Sequence, residues 1–205
     1  QGAARHGFDN IETVINVSPD KPGFMGANIL ITKVVVDKNT NRILGAQVLG
    51  PGDVSKQVTT WAMAIQAKMT VEDMLNLDLP YAPPYSLAID HSIATAHIMQ
   101  NKLDGLFVGI TPTELKEKLE RKDPMFLMDL RNPGEFEVMK IGIGEKLIPQ
   151  WEFRDRWDEL PKDKNAEIIA WCKISLRGYE AVRALMQYGY KNVKLLEGGV
   201  LGWPW

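Results

Sequence analysis

Residues 167–178 read Glu-Ile-Ile-Ala-Trp-Cys-Lys-Ile-Ser-Leu-Arg-Gly, an apolar run that gives way to a short polar segment. The apolar part, residues 167–171, has the length of a buried strand, and residues 176–188 carry apolar side chains at helical spacing. Cys172 therefore lies in a tight turn between a strand and a helix, where ligands usually bind in α/β proteins. The surrounding domain is predicted to be α/β.

The sequence after residue 105 alternates strands and helices throughout. Thr111 starts a helix that runs to about Arg121, with Pro112 at its first position and Glu114 completing a capping box. The other predicted elements are a strand at 125–130, a loop, a short strand near 147, a helix near 152–159, and the strands 167–171 and 193–196 on either side of the helix 176–188. Such alternation is typical of a parallel sheet with helices on both faces.

Residues 1–105 show the opposite order, with strands first and helices afterwards. Residues 28–36 and 42–49 are rich in β-branched side chains and are joined by Asp and Asn residues, which predicts an antiparallel pair. Helices are predicted at 54–69, from the Thr70 cap to Leu77, and at 86–102, with prolines at 80–84 before the last one. We therefore predict an α+β domain at 1–105 and an α/β domain with a parallel central sheet at 106–205.

The composition excludes several classes of function. The 205 residues carry 24 Lys and Arg against 26 Asp and Glu, so no strong positive field favours nucleic acid. No apolar run approaches the roughly 20 residues of a membrane span, and no signal peptide is present, which predicts a cytoplasmic protein. The single cysteine allows no internal disulfide, and His91 and His97 are spaced poorly for a shared metal, so no metal site is expected.

The turn that contains Cys172 has two interpretations. A lone cysteine at the end of a strand is often no more than a packing residue. A strand-to-helix loop with the spacing C-x4-R can instead turn its backbone amides inward, and the helix N-terminus together with Lys173 and Arg177 would then stabilise a thiolate at Cys172.

Three motifs with their strand and helix contexts favour the second interpretation. They are Asp-Leu-Arg-Asn-Pro-Gly-Glu-Phe at 129–136, the six-residue loop 172–177, and Gly-Gly-x3-Trp at 198–203. Together they resemble the rhodanese domain, a family of sulfurtransferases, over residues 111–205. The loop is one residue shorter than the C-x5-R loop of the related cysteine-dependent phosphatases, and the second part contains no histidine that could serve a Cys–His protease.

The resemblance implies a two-step transfer, in which the Cys172 thiolate takes sulfane sulfur from a small donor and passes it to a thiol acceptor. Its substrate-binding loop would be formed by Lys173, Ile174, Ser175, Leu176 and Arg177. The residues that would support this loop are Asp129, Arg131 and Glu135. Arg177 would pair with an acidic residue such as Glu135.

Two departures from the family pattern concern loops. Ser175 stands where glycine is common; if the position requires a positive φ, serine costs roughly 1 kcal/mol and would distort the loop. The segment 140–144 is longer by one residue than usual and begins with Lys140 in place of histidine. These departures leave a second hypothesis open, a domain that binds a sulfur carrier or assists assembly without turning over by itself.

In the first part, Arg-Ile-Leu-Gly-Ala-Gln-Val-Leu-Gly at 42–50 and Tyr-Ala-Pro-Pro-Tyr-Ser at 81–86 are the informative segments. They resemble the C-terminal dimerisation domain of the pyridine nucleotide–disulfide oxidoreductases, most closely the coenzyme A-disulfide reductase branch, some of whose members end in a rhodanese domain. The resemblance implies a homodimer and directs Tyr81 and Tyr85 towards a partner's coenzyme A site. Simple packing of a proline-rich loop is the alternative for both tyrosines.

The same resemblance implies FAD, NAD(P)H and coenzyme A for a full-length enzyme of that branch. The sequence has no glycine fingerprint for a dinucleotide and no second cysteine, and it starts at Gln1 rather than Met. We therefore expect it to be the C-terminal portion of such an enzyme, with no cofactor bound by this portion itself.

Overall fold

The computed structural model describes residues 2–205, which fold into two compact units. The first unit ends at Gly105, and the second is Leu106–Trp205. Each unit has its own sheet and its own hydrophobic core. Within the described residues, no helix has both the length and the apolar character needed to cross a membrane.

The first unit is built on a three-stranded antiparallel sheet, preceded by the short helix α1 (Gly2–Arg5). Its strands, with β2 in the middle, are β1 (Ile11–Pro19), β2 (Ile29–Asp37) and β3 (Ile43–Leu49). The predicted antiparallel pair is confirmed as β2 and β3. Strand β1 was not predicted, because the polar Asn16 interrupts its apolar pattern. In the structure the Asn16 side chain is nevertheless buried and donates a hydrogen bond to Thr95.

Three helices follow the strands. They are α2 (Val54–Gln66), α3 (Val71–Leu75) and α4 (His91–Leu103). The prediction of a helix over 86–102 was wrong at its start, since α4 begins only at His91. The Asp90 carboxylate caps this helix by accepting from the Ser92 amide and also accepts from the Ser86 hydroxyl, which keeps residues 86–90 in the capping segment.

The core of the first unit lies between the sheet and these helices. Its fully buried large side chains include Leu30, Ile43, Trp61, Met74 and Met99. Trp61 and Met74 are therefore core residues, whereas Met63 on α2 is 64% exposed. Of these three side chains, Met63 is therefore the one that a dimer interface formed by α2 could bury.

The second unit is built on a five-stranded sheet in which all strands run parallel. In chain order the strands are β4 (Val108–Ile110), β5 (Phe126–Asp129), β6 (Lys146–Leu147), β7 (Ile168–Trp171) and β8 (Val193–Leu196). Their order across the sheet is β4-β8-β7-β5-β6. The predicted α/β class with a parallel central sheet is confirmed, with the short edge strand β4 added.

The helices of this unit are α5 (Pro112–Arg121), α6 (Pro133–Val138) and α7 (Leu176–Gln187). The prediction of a helix near 152–159 was wrong: only a 3-10 turn, Trp157–Glu159, forms there. Residues 149–156 form successive tight turns in which the Pro149 carbonyl accepts from two amides, and Arg156 bonds the carboxylates of Glu152 and Glu159. Polar contacts within these turns thus replace the hydrogen-bond ladder of a regular helix.

Candidate active site

Cys172 follows β7, which has β5 on one side and β8 on the other. The Cys172 side chain is only 1% exposed, and α7 begins four residues later at Leu176. Strand β7 is buried along its whole length, so the loop 172–177 has a rigid base. The loop therefore lies at the carboxyl edge of the sheet, near its middle, where parallel α/β folds bind ligands.

The backbone carbonyls of this loop are turned towards the segment that follows β8. The Cys172 carbonyl accepts from the Val200 amide at 3.0 Å, and the Lys173 carbonyl accepts from the Leu201 amide at 3.1 Å. In a trans peptide the N–H points opposite to the C=O, so the amides of Lys173 and Ile174 point to the other side of the loop. Amides that point one way around a short turn form an anion-binding concavity.

Gly199 lets the two segments approach so closely. A Cβ at this position would lie 2.3 Å from the Cys172 carbonyl oxygen and 2.8 Å from that of Lys173. Its φ of 57° also lies in the left-handed region, which favours glycine. From the sequence, this glycine was known only as part of the Gly-Gly-x3-Trp motif. In the structure it lies against the backbone of the Cys172 loop.

Arg177 closes the loop with an ion pair. Its two terminal guanidinium nitrogens each donate to one carboxylate oxygen of Glu135 at 2.8 Å, so the expected pairing is present and bidentate. These bonds lower the pKa of Glu135 to about 2. The same bonds, followed by the neighbouring Cys172 side chain, raise the pKa of Arg177 above its ordinary value. A permanent cation therefore lies beside the sulfur.

A second ion pair, between Asp129 and Arg131, is buried at the end of β5. Asp129 is fully buried and accepts from the side chain of Arg131 at distances from 2.7 to 3.0 Å, while Arg131 also donates to the Glu135 carbonyl. Both charges are compensated and hydrogen-bonded, as buried ions must be. The pair ties β5 to the helix that presents Glu135.

Helix α6, which carries Glu135, was expected to be loop. Asn132 caps it: the Asn132 side chain accepts from the Glu135 amide at 2.7 Å, and its own amide groups donate to the Glu135 carboxylate. Pro133 occupies the first helical position. The sequence Asn-Pro-x-Glu carried this capping signal, and Asn132 is thus a supporting residue that the sequence motifs did not single out.

The remaining loop residues differ in exposure. Lys173 and Leu176 are exposed and Ile174 is half-buried, so these side chains lie at the outer side of the loop. Ser175 is 8% exposed and adopts the left-handed conformation, with φ 78° and ψ −7°. A positive φ at this position was the condition under which serine was expected to distort the loop. The segment 140–144 is held by the Glu145 carboxylate, which accepts from the amides of Gly142 and Ile143.

The tyrosines of the first unit are both exposed, Tyr81 by 53% and Tyr85 by 76%. The Lys56 ammonium group donates to the Tyr85 carbonyl at 3.2 Å and to Asp90 at 2.8 Å. Burial of Asp90 opposes its ionisation, but hydrogen bonds led by that from Lys56 lower its pKa overall. The tyrosine segment is therefore fixed to α2 and to the cap of α4, with Lys56 as a positioning contact that no sequence pattern indicated.

His91 belongs to the interior of the first unit rather than to a ligand site. It is completely buried, and its two ring nitrogens lie 2.6 Å from the Ser18 hydroxyl and 2.7 Å from the Thr32 hydroxyl. Desolvation lowers the pKa of His91 to about 4, so the ring is neutral at pH 7. Among residues 2–205, no group of three or more His, Cys, Asp or Glu side chains could hold a metal ion.

Comparison with known proteins assigns each unit. Residues 111–204 match the description "Rhodanese-like domain", and residues 5–93 match "Pyridine nucleotide-disulphide oxidoreductase, dimerisation domain". A sulfurtransferase from Allochromatium vinosum is 32% identical over 94 residues, which cover 46% of this chain and 85% of that protein. The chain belongs to the rhodanese family. Its rhodanese domain contains the Cys172 loop, the ion pairs of Arg131 with Asp129 and of Arg177 with Glu135, and the Gly198–Gly199 segment.

Two solved structures are similar across both units. An NAD-dependent persulfide reductase from A. fulgidus is 40% identical with a TM-score of 0.86, and the CoADR-RHD of Bacillus anthracis is 34% identical with a TM-score of 0.87. Each similarity covers 98% of this chain but 35% of the solved one. The chain likewise spans 24% and 22% of two larger curated relatives. These findings confirm the predicted order, a reductase-type dimerisation domain followed by a rhodanese domain.

Proposed function

We propose that Cys172 carries sulfane sulfur as a persulfide, in a sulfurtransferase domain attached to the dimerisation domain of a flavin-dependent coenzyme A-disulfide or polysulfide reductase. The observation that carries this proposal is the direction of the loop backbone. The carbonyls of Cys172 and Lys173 are bonded to Val200 and Leu201, which leaves the amides on the opposite side for a bound anionic sulfur.

The proposed reaction has two displacements on sulfur. The Cys172 thiolate attacks the outer sulfur of the donor; the new S–S bond forms while the donor's S–S bond breaks, and the donor fragment leaves with the electron pair. An acceptor thiolate then attacks the outer sulfur of the persulfide, and Cys172 leaves again as a thiolate. The protein undergoes no net oxidation, and no oxidant has to be supplied.

Each loop residue has a defined part in this proposal. The amides of the loop and the N-terminus of α7 stabilise the charge on the outer sulfur of the persulfide. Lys173 is exposed and attracts an anionic donor, while Ile174 and Leu176 flank the sulfur site. Arg177 supports the negative charge and fixes the loop through Glu135, which the pair of Asp129 and Arg131 holds in turn.

Sulfur-transfer turnover tests the proposal. The 205-residue chain is incubated with thiosulfate and dithiothreitol, and the release of sulfide is followed. We expect catalytic release by the wild-type chain and none above background by Cys172→Ser, since a serine hydroxyl does not form a persulfide. Turnover that persists in Cys172→Ser would contradict the role of Cys172.

A second candidate function is favoured by the burial of the thiol. A side chain that is 1% exposed suits a domain that holds sulfur, or a sulfur carrier, without turning over alone. In that case the wild-type chain would accept one sulfur from the donor but release no sulfide to dithiothreitol. Turnover in the assay above would exclude this alternative.

For the whole protein we propose a homodimer formed through the first unit, with FAD and NAD(P)H bound outside the present sequence and coenzyme A approaching Tyr81 and Tyr85. The name of the A. fulgidus relative, an NAD-dependent persulfide reductase, supports the nicotinamide cofactor, and the match of residues 5–93 to a dimerisation domain supports the homodimer. The two tyrosines fit a ligand contact because both are exposed and their segment is fixed by Lys56. Coenzyme A would supply the reacting thiol, while these residues would bind and orient it.

A further inference from the structure

Ser175 occupies a conformation that most side chains avoid. Its φ of 78° is in the left-handed region, where glycine is the usual residue and where an L side chain costs roughly 1–2 kcal/mol. It precedes Leu176, the first residue of α7, yet its hydroxyl makes no capping bond to that helix. The serine is 8% exposed, so its hydroxyl needs another partner.

That partner is the carbonyl at the end of the neighbouring strand. The Ser175 hydroxyl donates to the Leu196 carbonyl at 2.5 Å, and the same carbonyl accepts from the Gly199 amide at 3.2 Å. Leu196 is the last residue of β8, and Gly199 lies against the carbonyls of Cys172 and Lys173. The Leu196 carbonyl thus links Ser175, in the loop 172–177, to the 199–201 segment, whose amides bond the loop carbonyls.

We propose that Ser175 is a positioning residue for Cys172: its bond to the Leu196 carbonyl holds the loop in the conformation that turns the amides of Lys173 and Ile174 away from the 199–201 segment. The importance of this position for sulfur transfer rests on the function proposed above. The bond offsets the cost of the left-handed conformation. Serine at this position is therefore a working alternative to glycine rather than a distortion of the loop.

Three substitutions separate the bond from the backbone conformation. Ser175→Ala keeps the left-handed cost and loses the bond, whereas Ser175→Gly loses the bond but also removes the cost. Lys122→Gly is the matched control, because Lys122 is exposed, has φ 59°, and caps the far end of α5. This control removes a left-handed side chain without touching the cysteine loop.

The experiment measures the alkylation of Cys172 by iodoacetamide as a function of pH, together with the rate of sulfur loading from thiosulfate. The pH midpoint of alkylation reports the thiolate and does not depend on how easily the reagent enters. We expect Ser175→Ala to raise this midpoint by about 1 pH unit and to slow loading about tenfold, as for one lost buried hydrogen bond. Ser175→Gly should lie between Ser175→Ala and the wild type, and Lys122→Gly should match the wild type.

Urea unfolding of each variant shows whether the effect is local. If Ser175→Ala lowers only the urea midpoint and leaves the alkylation midpoint unchanged, the residue stabilises the fold alone and the proposal is wrong. If Ser175→Gly is as impaired as Ser175→Ala, the bond positions the loop without offsetting any cost of the left-handed conformation, and that part of the proposal is wrong. A wild-type chain that takes no sulfur overturns the persulfide function, whereas the alkylation series still decides the positioning role.

Discussion

At the scale of single residues, two ion pairs that are linked through α6 support the Cys172 loop. Asp129 and Arg131 hold the start of α6, and Glu135 on that helix holds Arg177. The sequence motifs predicted that Arg177 pairs with an acidic residue such as Glu135, and they gave Asp129 and Arg131 only a general supporting role. The structure specifies the order of the contacts, which depends on the capping of α6 by Asn132 and could not be read from residue spacing.

Replacing Arg177 tests the end of this chain of contacts. Arg177→Ala should slow sulfur loading of Cys172 by about tenfold without abolishing it, because the backbone amides remain. Arg177→Lys should remain slower than the wild type, since lysine cannot form the bidentate pair with Glu135. Loading is followed by mass spectrometry over time, with the exposed Arg121→Ala as control. Equal rates for Arg177→Ala and wild type would contradict a contribution of the guanidinium.

The buried His91 predicts a pH dependence of the first unit. Its pKa is about 4 in the folded state against an ordinary value of 6.5, so the unfolded chain binds the additional proton between these pH values. The contribution to the free energy of unfolding is fully present above pH 6.5 and is lost as the pH falls towards 4, by up to about 3 kcal/mol. The groups that act on the ring are Asp90 and Asp20, which favour its charge, and Lys56, which opposes it.

Urea unfolding at about pH 7 and about pH 5 measures this effect, with His91→Gln as the control that cannot titrate. The loss of stability between the two pH values should be larger in the wild type than in His91→Gln. Equal losses in both proteins would show that carboxylates, not His91, determine the pH dependence.

At the scale of elements, local sequence signals predicted most of the second unit. Strand β8 has the predicted bounds, and the capping box of Thr111 and Glu114 starts α5 as expected. The errors occurred where short-range hydrogen bonds of polar side chains compete with the backbone bonds of a helix. The 152–159 segment forms turns that Arg156 stabilises. At α4, the Asp90 carboxylate accepts from Ser86 and Ser92, so the helix begins only at His91.

The contact between the cysteine loop and the 199–201 segment is the element-level feature most open to test. Gly199→Ala would place a Cβ 2.3 Å from the Cys172 carbonyl oxygen, so the two segments must separate. Gly189→Ala is the matched control, because Gly189 has φ 88° but a Cβ added there would have no neighbouring atom within 4 Å. We expect about 1 kcal/mol of destabilisation for Gly189→Ala and more than about 2 kcal/mol for Gly199→Ala, measured by urea unfolding. Equal values would contradict the close approach.

At the scale of the whole molecule, the family and the order of its two domains followed from ordered motifs, and the comparisons confirmed both. The identity of core and surface residues in the first unit did not follow, because apolar side chains occupy several faces of its helices. Trp61 and Met74 fill the core, and the exposed apolar side chains of this unit include Phe24, Leu49, Met63, Tyr81 and Tyr85. Burial depends on tertiary packing, in which α2 lies against β3 and α3 against α4.

The exposed Met63 predicts how a dimer would respond to substitution. Light scattering of the wild-type chain at tens of micromolar should give the mass of a dimer, and Met63→Lys should shift it towards the monomer by placing a charge in an apolar interface. Val138→Lys, an equal change at an exposed position of the second unit, is the control. A dimer that survives Met63→Lys unchanged would show that α2 does not form the interface.

The persulfide on Cys172 is the central claim, and the mass of the intact chain tests it most directly. After incubation with thiosulfate or polysulfide and removal of excess donor, the wild-type chain should gain one sulfur atom. Dithiothreitol should remove it, and peptide analysis should place it on Cys172, while Cys172→Ser gains none. A wild-type chain that stays at its original mass, or that carries the sulfur on another residue, would contradict the persulfide mechanism.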